Sequence, residues 1–167
     1  MSLTTKRWRI RPATPDDASE LARLRHDFRA ERRSPTEPRA EFLERCSRWM
    51  RQRLRPDAEW RCWLAVSEDQ IVGTLWLQLI EKIPNPGDEA ELHGYISSVY
   101  VVPALRRIGV GAGLLRACLA ECDALGTDAE FLWSTSDSRG LYQRHGFAAR
   151  DDLLERREPH SSMGSSP

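Results

Sequence analysis

The sequence lacks the long apolar segments of a membrane protein. None of its 167 residues belongs to an apolar run near the roughly 18–20 residues that a membrane-spanning helix needs. The basic start, MSLTTKRWRIRP, also lacks the apolar stretch of about 7–15 residues that marks a secretory signal. We therefore expect one globular domain over residues 1–158, a polar, disordered tail over 159–167, and a cytoplasmic location.

Cysteine is scarce, and its pattern argues against the common cysteine-based scaffolds. The closest pair, Cys118 and Cys122, lacks a second pair of ligands, so neither a structural zinc ion nor a disulfide framework is expected. We predict no metal site. The four thiols are expected to be buried and reduced, as in a cytosolic protein: Cys46, Cys62, Cys118 and Cys122.

An excess of charge of one sign is also lacking, since 25 basic residues balance 25 acidic ones. The balance differs along the chain, because residues 1–61 hold 16 basic and 10 acidic residues. Such asymmetry indicates either a surface for nucleic acid or an acidic ligand, or a solvated helical face. Interleaved Glu and Asp residues favour the helical face, and we predict neither a nucleic-acid nor a membrane partner.

The spacing of apolar residues predicts alternating strands and helices. Ala18, Leu21, Ala22, Leu24, Arg25 and Phe28 recur at helical spacing after a Thr-Pro pair typical of a helix start. Further patterns predict helices at 42–54, 114–122 and 138–144, and strands at 8–14, 60–66, 71–80, 93–102, 131–133 and 147–156. The order β-α-α-β-β-β-α-β-α-β indicates a mixed α/β sheet covered by helices, and most of the six tryptophans are expected in the core.

The most informative segment runs from residue 99 to residue 115. Gly109, Gly111 and Gly113 lie where a helix begins, so free N–H groups and the positive end of the helix dipole meet at one point. Arg106 and Arg107 add charge that suits phosphate oxygens. The pattern predicts an anion-binding loop, with a glycine turn that serves helix packing alone as the alternative.

Two common phosphate loops do not match this segment. A P-loop requires Gly-Lys followed by Ser or Thr, but here Gly111 is followed by Ala112 and Gly113. A dinucleotide loop requires G-x-G-x-x-G directly after the strand, but Leu114 stands at the third glycine and residues 103–108 intervene. A pyrophosphate loop of another type is the remaining interpretation.

At this point the sequence resembles a known family. The motif Arg106-x-x-Gly109-x-Gly111, after Val99-x-Val101-x-Pro103, is similar to the acetyl-CoA signature of the GNAT superfamily of N-acetyltransferases. Leu-Tyr-Gln-Arg-His-Gly-Phe at 141–147 resembles that family's later L-Y-x-x-x-G-F motif. The resemblance implies a GNAT-like α/β fold, with a central mixed, mostly antiparallel sheet of about six to seven strands and about four helices.

The resemblance also implies roles for individual residues. Backbone groups of Val99, Tyr100 and Val101 would pair with the pantetheine arm of acetyl-CoA like an added strand. Thr135 and Ser138, where the family often has Asn and Ala or Ser, would contact the same cofactor. Tyr142 matches the tyrosine that acts as general acid toward the departing thiolate, the alternative being a core tyrosine beside Phe147. The pyrophosphate would bind the loop of Arg106, Arg107, Ile108, Gly109, Val110, Gly111 and Ala112.

The implied reaction is direct attack of a primary amine on the thioester, in a ternary complex and without a covalent acyl-enzyme. An ammonium cannot attack, so a base or a water chain must first remove its proton. Glu130 stands where some relatives carry a base glutamate, while His93 and Glu91 precede the fourth strand, which has no carboxylate. The acceptor would be a small-molecule or peptide amine, selected by the N-terminal helices and the loops at 30–39 and 82–91.

Two further questions stay open in the sequence. A non-catalytic acyl-CoA-binding or regulatory module would keep the same glycine loop, and the missing fourth-strand carboxylate is compatible with it. A homodimer is compatible with the family resemblance, although no stretch of the sequence indicates an interface.

Overall fold

A five-stranded sheet forms the centre of the protein, which a computed structural model describes over residues 7–87 and 91–156. The strands lie in chain order, each antiparallel to the next except for the last pair, which is parallel. Their bounds are β1 (Arg9–Pro12), β2 (Trp60–Ser67), β3 (Gln70–Glu81), β4 (Leu92–Val101) and β5 (Ala129–Phe131).

Four helices cover the two faces of this sheet: α1 (Ala18–Ala30), α2 (Arg39–Arg53), α3 (Val110–Leu125) and α4 (Ser136–Gln143). A short 3-10 turn leads into α1, where the Asp17 carboxylate accepts the Thr14 N–H at 2.8 Å and two hydrogen bonds from Arg11. Gly126 ends α3 in the left-handed conformation, at φ 66°. Within the described residues no helix is long and apolar enough to cross a membrane.

The core has two parts, one on each face of the sheet. Leu75, Leu77 and Ile96 pack against α3, and the neighbouring strand residues face the opposite way, toward α1 and α2. Successive strand residues point to opposite faces of the sheet. Strands β2 and β3 are buried over nearly continuous runs of mostly apolar residues, so they contribute to the core on both faces. The two faces are therefore separate surfaces, one under α3 and one under α1 and α2.

The predicted α/β class and the mostly antiparallel sheet are confirmed, but the strand count is lower than expected. Residues 147–156, predicted as a last strand, form none. Leu153 and Leu154 are adjacent, so a strand would direct them to opposite faces, and neither would be covered. Arg150 and Asp152 instead pair with each other, at 2.6 Å, on the surface. The tail predicted for 159–167 lies outside the described residues.

The predicted place of the tryptophans is also partly wrong. Trp63 and Trp76 are buried, as expected, whereas Trp49 is 37% exposed and Trp133 is 52% exposed. Trp133 follows β5, which ends at Phe131, two residues earlier than the sequence pattern predicts. Because the chain has left the sheet at that point, the Trp133 ring stands at the edge of the core and open to solvent.

Removing a fully buried side chain beneath α3 should weaken the fold. We expect Leu114→Ala to lower the free energy of unfolding by about 2–5 kcal/mol, because the substitution leaves a cavity between α3 and the sheet. The matched control is Leu154→Ala, whose leucine is 92% exposed, and its change should stay within about 0.5 kcal/mol. Urea unfolding of the three proteins measures both values, and equal losses would contradict this packing.

Candidate active site

Strands β4 and β5 separate about halfway along β4. Their parallel pairing covers three positions and ends at Tyr95 and Phe131. Strand β4 continues to Val101 with β3 on its other side, but residues 96–101 have no strand partner on the β5 side in the described chain. This part of β4 therefore offers an open sheet edge, whose backbone groups can pair with an extended ligand.

A β-bulge lies within this open part of β4. Ser97 is opposite Trp76, but Tyr100 is already opposite Thr74, so β4 contains one residue more than β3 over this stretch. Ser98 accommodates the extra residue by adopting a left-handed backbone conformation, with φ 52°. The bulge redirects the side chains that follow it and bends the open edge.

The glycine loop joins the end of β4 to α3 through a short 3-10 turn at Pro103–Leu105. Gly109 caps the helix at φ 91°, and no side chain of the described residues caps it. The carbonyl of Gly109 accepts the N–H of Gly113 at 2.9 Å, so the three N–H groups between them precede the first helical hydrogen bond. A Cβ on Gly111 would lie 3.5 Å from Leu141 of α4 and 4.0 Å from Val101. The first turn of α3 is therefore close to both the open strand and α4.

Arg106 is held by the protein itself. Its guanidinium donates to both carboxylate oxygens of Glu31, at 2.9 and 2.7 Å, and its Nε donates to the Val101 carbonyl at 2.8 Å. Glu31 also accepts the Tyr100 hydroxyl at 2.9 Å. Burial and this carboxylate raise the pKa of Tyr100 to about 12. Arg106 thus ties the loop to the end of α1, while Arg107 is exposed beside it.

Tyr142 lies on α4 with its ring in the core, 5.8 Å from the Phe147 ring. Burial raises the pKa of its phenol. Its hydroxyl has no hydrogen-bond partner among the described residues. Thr135 and Ser138 form a capping box at the start of α4, with the Thr135 N–H donating to the Ser138 hydroxyl at 3.0 Å. These two residues thereby set where α4 begins.

Two of the three candidate bases, Glu130 and His93, lie on the part of the sheet where β4 and β5 are still paired. Glu130 is opposite Gly94, on the α3 side, and its carboxylate accepts a hydrogen bond from Thr127. The His93 Nε2 lies 3.3 Å from Asp128, which also pairs with Lys82 at 2.5 Å. Neither group has a contact with Tyr142 in the structure.

Aromatic rings line the other face of the sheet where strands β4 and β5 separate. Tyr95 stacks on Phe131 at 5.4 Å, and Trp133 meets the Tyr95 ring edge-on at 5.1 Å. Nearby on the same face, Trp49, Trp60 and Trp76 form a second cluster, with ring centroids 5.2–6.1 Å apart. Period-two counting from β4 assigns Tyr95 to this face, but it does not show which rings meet.

Comparison with known proteins identifies the family of this chain. The model of the acetyltransferase (GNAT) family matches residues 21–147, which include the open strand, the glycine loop and Tyr142. The chain belongs to the GNAT acetyltransferase family. No curated protein matches the chain significantly.

Solved structures agree with this GNAT assignment at the level of the fold. A predicted acetyltransferase from Clostridium acetobutylicum, solved with acetyl-CoA, has a TM-score of 0.76 at 22% identity and covers 90% of this chain and 96% of its own. A GCN5-related N-acetyltransferase from Ralstonia eutropha JMP134 has a TM-score of 0.73 at 25% identity, covering 90% and 99%. An aminoglycoside acetyltransferase from an uncultured soil metagenomic sample, in complex with sisomicin, has a TM-score of 0.68 at 17% identity, covering 90% and 95%.

The residues of this GNAT domain fit acetyl-CoA. The open edge of β4 suits an amide-bearing arm, and the uncapped start of α3 suits a pyrophosphate. Gly111 leaves the backbone accessible between β4 and α4, where a larger side chain would fill the space. The fit therefore rests on backbone groups, because Arg106 already has internal partners.

The ion pair between Glu31 and Arg106 should contribute to stability in a pH-dependent way. Burial opposes ionisation of Glu31, but the hydrogen bonds from Arg106 and Tyr100 outweigh it and lower the pKa. A lowered pKa means that the contribution is complete at neutral pH and is lost as the pH falls below the ordinary value near 4.5. We expect Glu31→Gln to lose less than about 1 kcal/mol at pH 7, since both side chains are about two-fifths exposed.

Urea unfolding of the wild type and Glu31→Gln between pH 7 and pH 3 measures this difference. The gap between the two proteins should narrow toward the acidic end. Glu44→Gln is the matched control, because the Glu44 pair with Arg48 is exposed on α2. A gap that widens as the pH falls would be incompatible with a lowered Glu31 pKa.

Proposed function

We propose that the protein is an acetyl-CoA-dependent N-acetyltransferase, which transfers an acetyl group to a primary amine by direct attack in a ternary complex. Membership of the GNAT family supports acetyl transfer in general. The observation that carries the proposal is the open edge of β4, which the loop at 102–109 connects to the uncapped start of α3. The sisomicin complex of the metagenomic relative supports a small-molecule amine as acceptor. A cytoplasmic location completes the proposal.

The chain offers separate groups for each part of the cofactor. Backbone groups of Val99, Tyr100 and Val101 would hold the pantetheine arm, and the amides from Arg107 to Ala112 would hold the pyrophosphate. Thr135 and Ser138, at the start of α4, would border the same cleft. Acetyl-CoA supplies the activated acetyl thioester when it is bound.

Tyr142 is the proposed general acid. Because burial raises the pKa of its phenol, the Oη proton stays in place at neutral pH. No internal acceptor competes for that proton in the described chain, so it is available to a departing thiolate. The Phe147 ring holds the phenol in position from within the core.

Removal of the amine proton is assigned to Glu130 or to a water chain. The Glu130 carboxylate lies on the α3 side of the sheet and already accepts a hydrogen bond from Thr127. His93 is a second candidate, since its Nε2 lies 3.3 Å from the Asp128 carboxylate. Both residues lie before the point where β4 and β5 part, so a water molecule would link either one to the acceptor.

Binding of acetyl-CoA is the first test. We expect micromolar binding to the wild type in a calorimetric titration, and a loss of about 100-fold or more in Gly111→Glu, because a carboxylate would enter the pyrophosphate region. Gly87→Glu is the matched control, since a Cβ at Gly87 has nothing within 4 Å and the loop lies at the opposite end of β4. Equal affinity of both variants would argue against the glycine loop as the binding site.

The role of Tyr142 is tested by turnover. We expect Tyr142→Phe to lower kcat by about 100-fold or more, since a general acid contributes at least that much. The midpoint of thermal unfolding should change little, because the removed hydroxyl has no hydrogen-bond partner among the residues that the structure describes. Thiol release with an amine panel measures turnover. Unchanged kcat would refute the acid role, and the absence of turnover with every amine, despite binding, would favour a non-catalytic acyl-CoA-binding module.

A further inference from the structure

Arg25 is a half-buried guanidinium that has no acidic partner. It lies on α1 between the apolar residues Leu24 and Phe28, and its side chain faces the sheet instead of solvent. Nη1 donates to the Ser98 hydroxyl at 3.0 Å, and the guanidinium lies 5.6 Å from the centre of the Phe28 ring. Across residues 7–87 and 91–156 this is its one hydrogen bond, and no carboxylate lies within ion-pair distance.

Two nearby arginines, Arg23 and Arg106, differ from Arg25 in this respect. On α1 itself, Arg23 pairs with Glu20 and Asp27, and at the helix end Arg106 pairs with Glu31. The acids near α1 are therefore already used by other arginines. Among the described residues, no carboxylate pairs with the charge of Arg25.

Two of the titratable groups near Arg25 are themselves positively charged. The titratable groups that act on it are Arg29 and Arg32 from the same segment, Cys46 from α2 and Tyr95 from β4. None of these is a carboxylate, and burial, the largest effect, together with the two arginines lowers the pKa of Arg25. A charged group that is only partly solvated and unpaired is costly unless a ligand completes its hydrogen bonds.

The position of Arg25 connects this charge with the transfer reaction. Ser98, its partner, is the bulge residue of β4 and directly precedes Val99, where the open edge is expected to hold the thioester end of the cofactor. Tyr95, three residues earlier, carries the ring cluster with Phe131 and Trp133. The arginine, the hydroxyl and the rings thus surround the parting of the strands on the face covered by α1 and α2.

We propose that Arg25 and Ser98 bind a carboxylate of the acceptor, so that the substrate is an amino acid with an apolar or aromatic side chain. The inference rests on the proposed N-acetyltransferase function and assigns its acceptor class. The guanidinium binds the carboxylate through charge-assisted hydrogen bonds, with the Ser98 hydroxyl as an additional donor. The rings of Tyr95, Phe131 and Trp133 accommodate the side chain. Polyamines and aminoglycosides, which carry several positive charges, are disfavoured by the three arginines.

Matched acceptors measure the contribution of the carboxylate separately from that of the amine. Thiol release is measured with phenylalanine, phenylalaninamide and phenethylamine, which share the ring and the amine but differ in the carboxylate. We expect kcat/KM for phenylalanine to exceed that for phenylalaninamide by about 10- to 100-fold, the range of a hydrogen bond to a charged group. The comparison is strict, because the amine of phenylalaninamide is less basic and a larger fraction of it is unprotonated at neutral pH. Without a carboxylate site, the amide would therefore be the better acceptor. A preference for the amide would overturn the proposal.

Variants assign this preference to Arg25. Arg25→Gln should reduce the ratio of phenylalanine to phenylalaninamide toward one, while Arg25→Lys, which keeps the charge but not the planar fork, should retain part of it. Arg51→Gln, an exposed arginine on α2, is the matched control and should keep the full ratio. Acetyl-CoA titration and thermal unfolding verify that each variant is folded. A folded Arg25→Gln with the wild-type ratio would refute the assignment.

A binding measurement keeps this test independent of turnover. N-acetylphenylalanine and its amide are titrated into the wild type and Arg25→Gln in the presence of CoA. We expect the wild type to bind the carboxylate form more tightly and Arg25→Gln to bind both forms equally. Absence of turnover with every amine, combined with this binding difference, would refute the transferase function but support the carboxylate site. Equal binding of both forms by the wild type would refute the site itself.

Discussion

The parting of β4 from β5 is the constraint on which the rest of the structure depends. A strand edge within a protein must find partners for its N–H and C=O groups, and beyond Tyr95 strand β5 no longer provides them. The open edge is therefore a binding surface made of backbone, which requires no particular side chains. The start of α3 and the body of α4 lie at the same end of the sheet, so backbone donors, an extended edge and a buried phenol come together there.

Arg106 and Arg25 lie on either side of this opening, and they differ in whether a carboxylate pairs with them. Arg106 is neutralised by Glu31 and hydrogen-bonded to the Val101 carbonyl, so its charge serves to join the loop to α1. Arg25 has a hydroxyl and an aromatic ring as partners, but no carboxylate in the part of the chain that the structure describes. An internal ion pair contributes to structure, whereas an unbalanced guanidinium favours an anionic ligand. The same residue type thus supports the loop in one case and acceptor recognition in the other.

The two faces of the sheet carry different chemical groups. The α3 face carries a continuous apolar core that includes the Tyr142 ring, which explains why the phenol keeps its proton. The α1 and α2 face carries exposed rings and the Arg25 charge close to the bulge at Ser98. A cofactor along the open edge would lie between these environments, with a proton donor on one side and a charged, aromatic acceptor region on the other.

The sequence by itself determined the order of helices and strands and the position of the glycine loop, because helical spacing, strand alternation and glycine at a helix start are local properties. It also pointed to Tyr142 through a motif. Tertiary structure alone decided the partners of the charged residues. Glu31 meets Arg106 across 75 residues, and Arg25 meets Ser98 across 73. Neither the end of β5 at Phe131 nor the absence of a strand at 147–156 was predictable, since strand pairing depends on which edge remains available and on whether both faces can be covered.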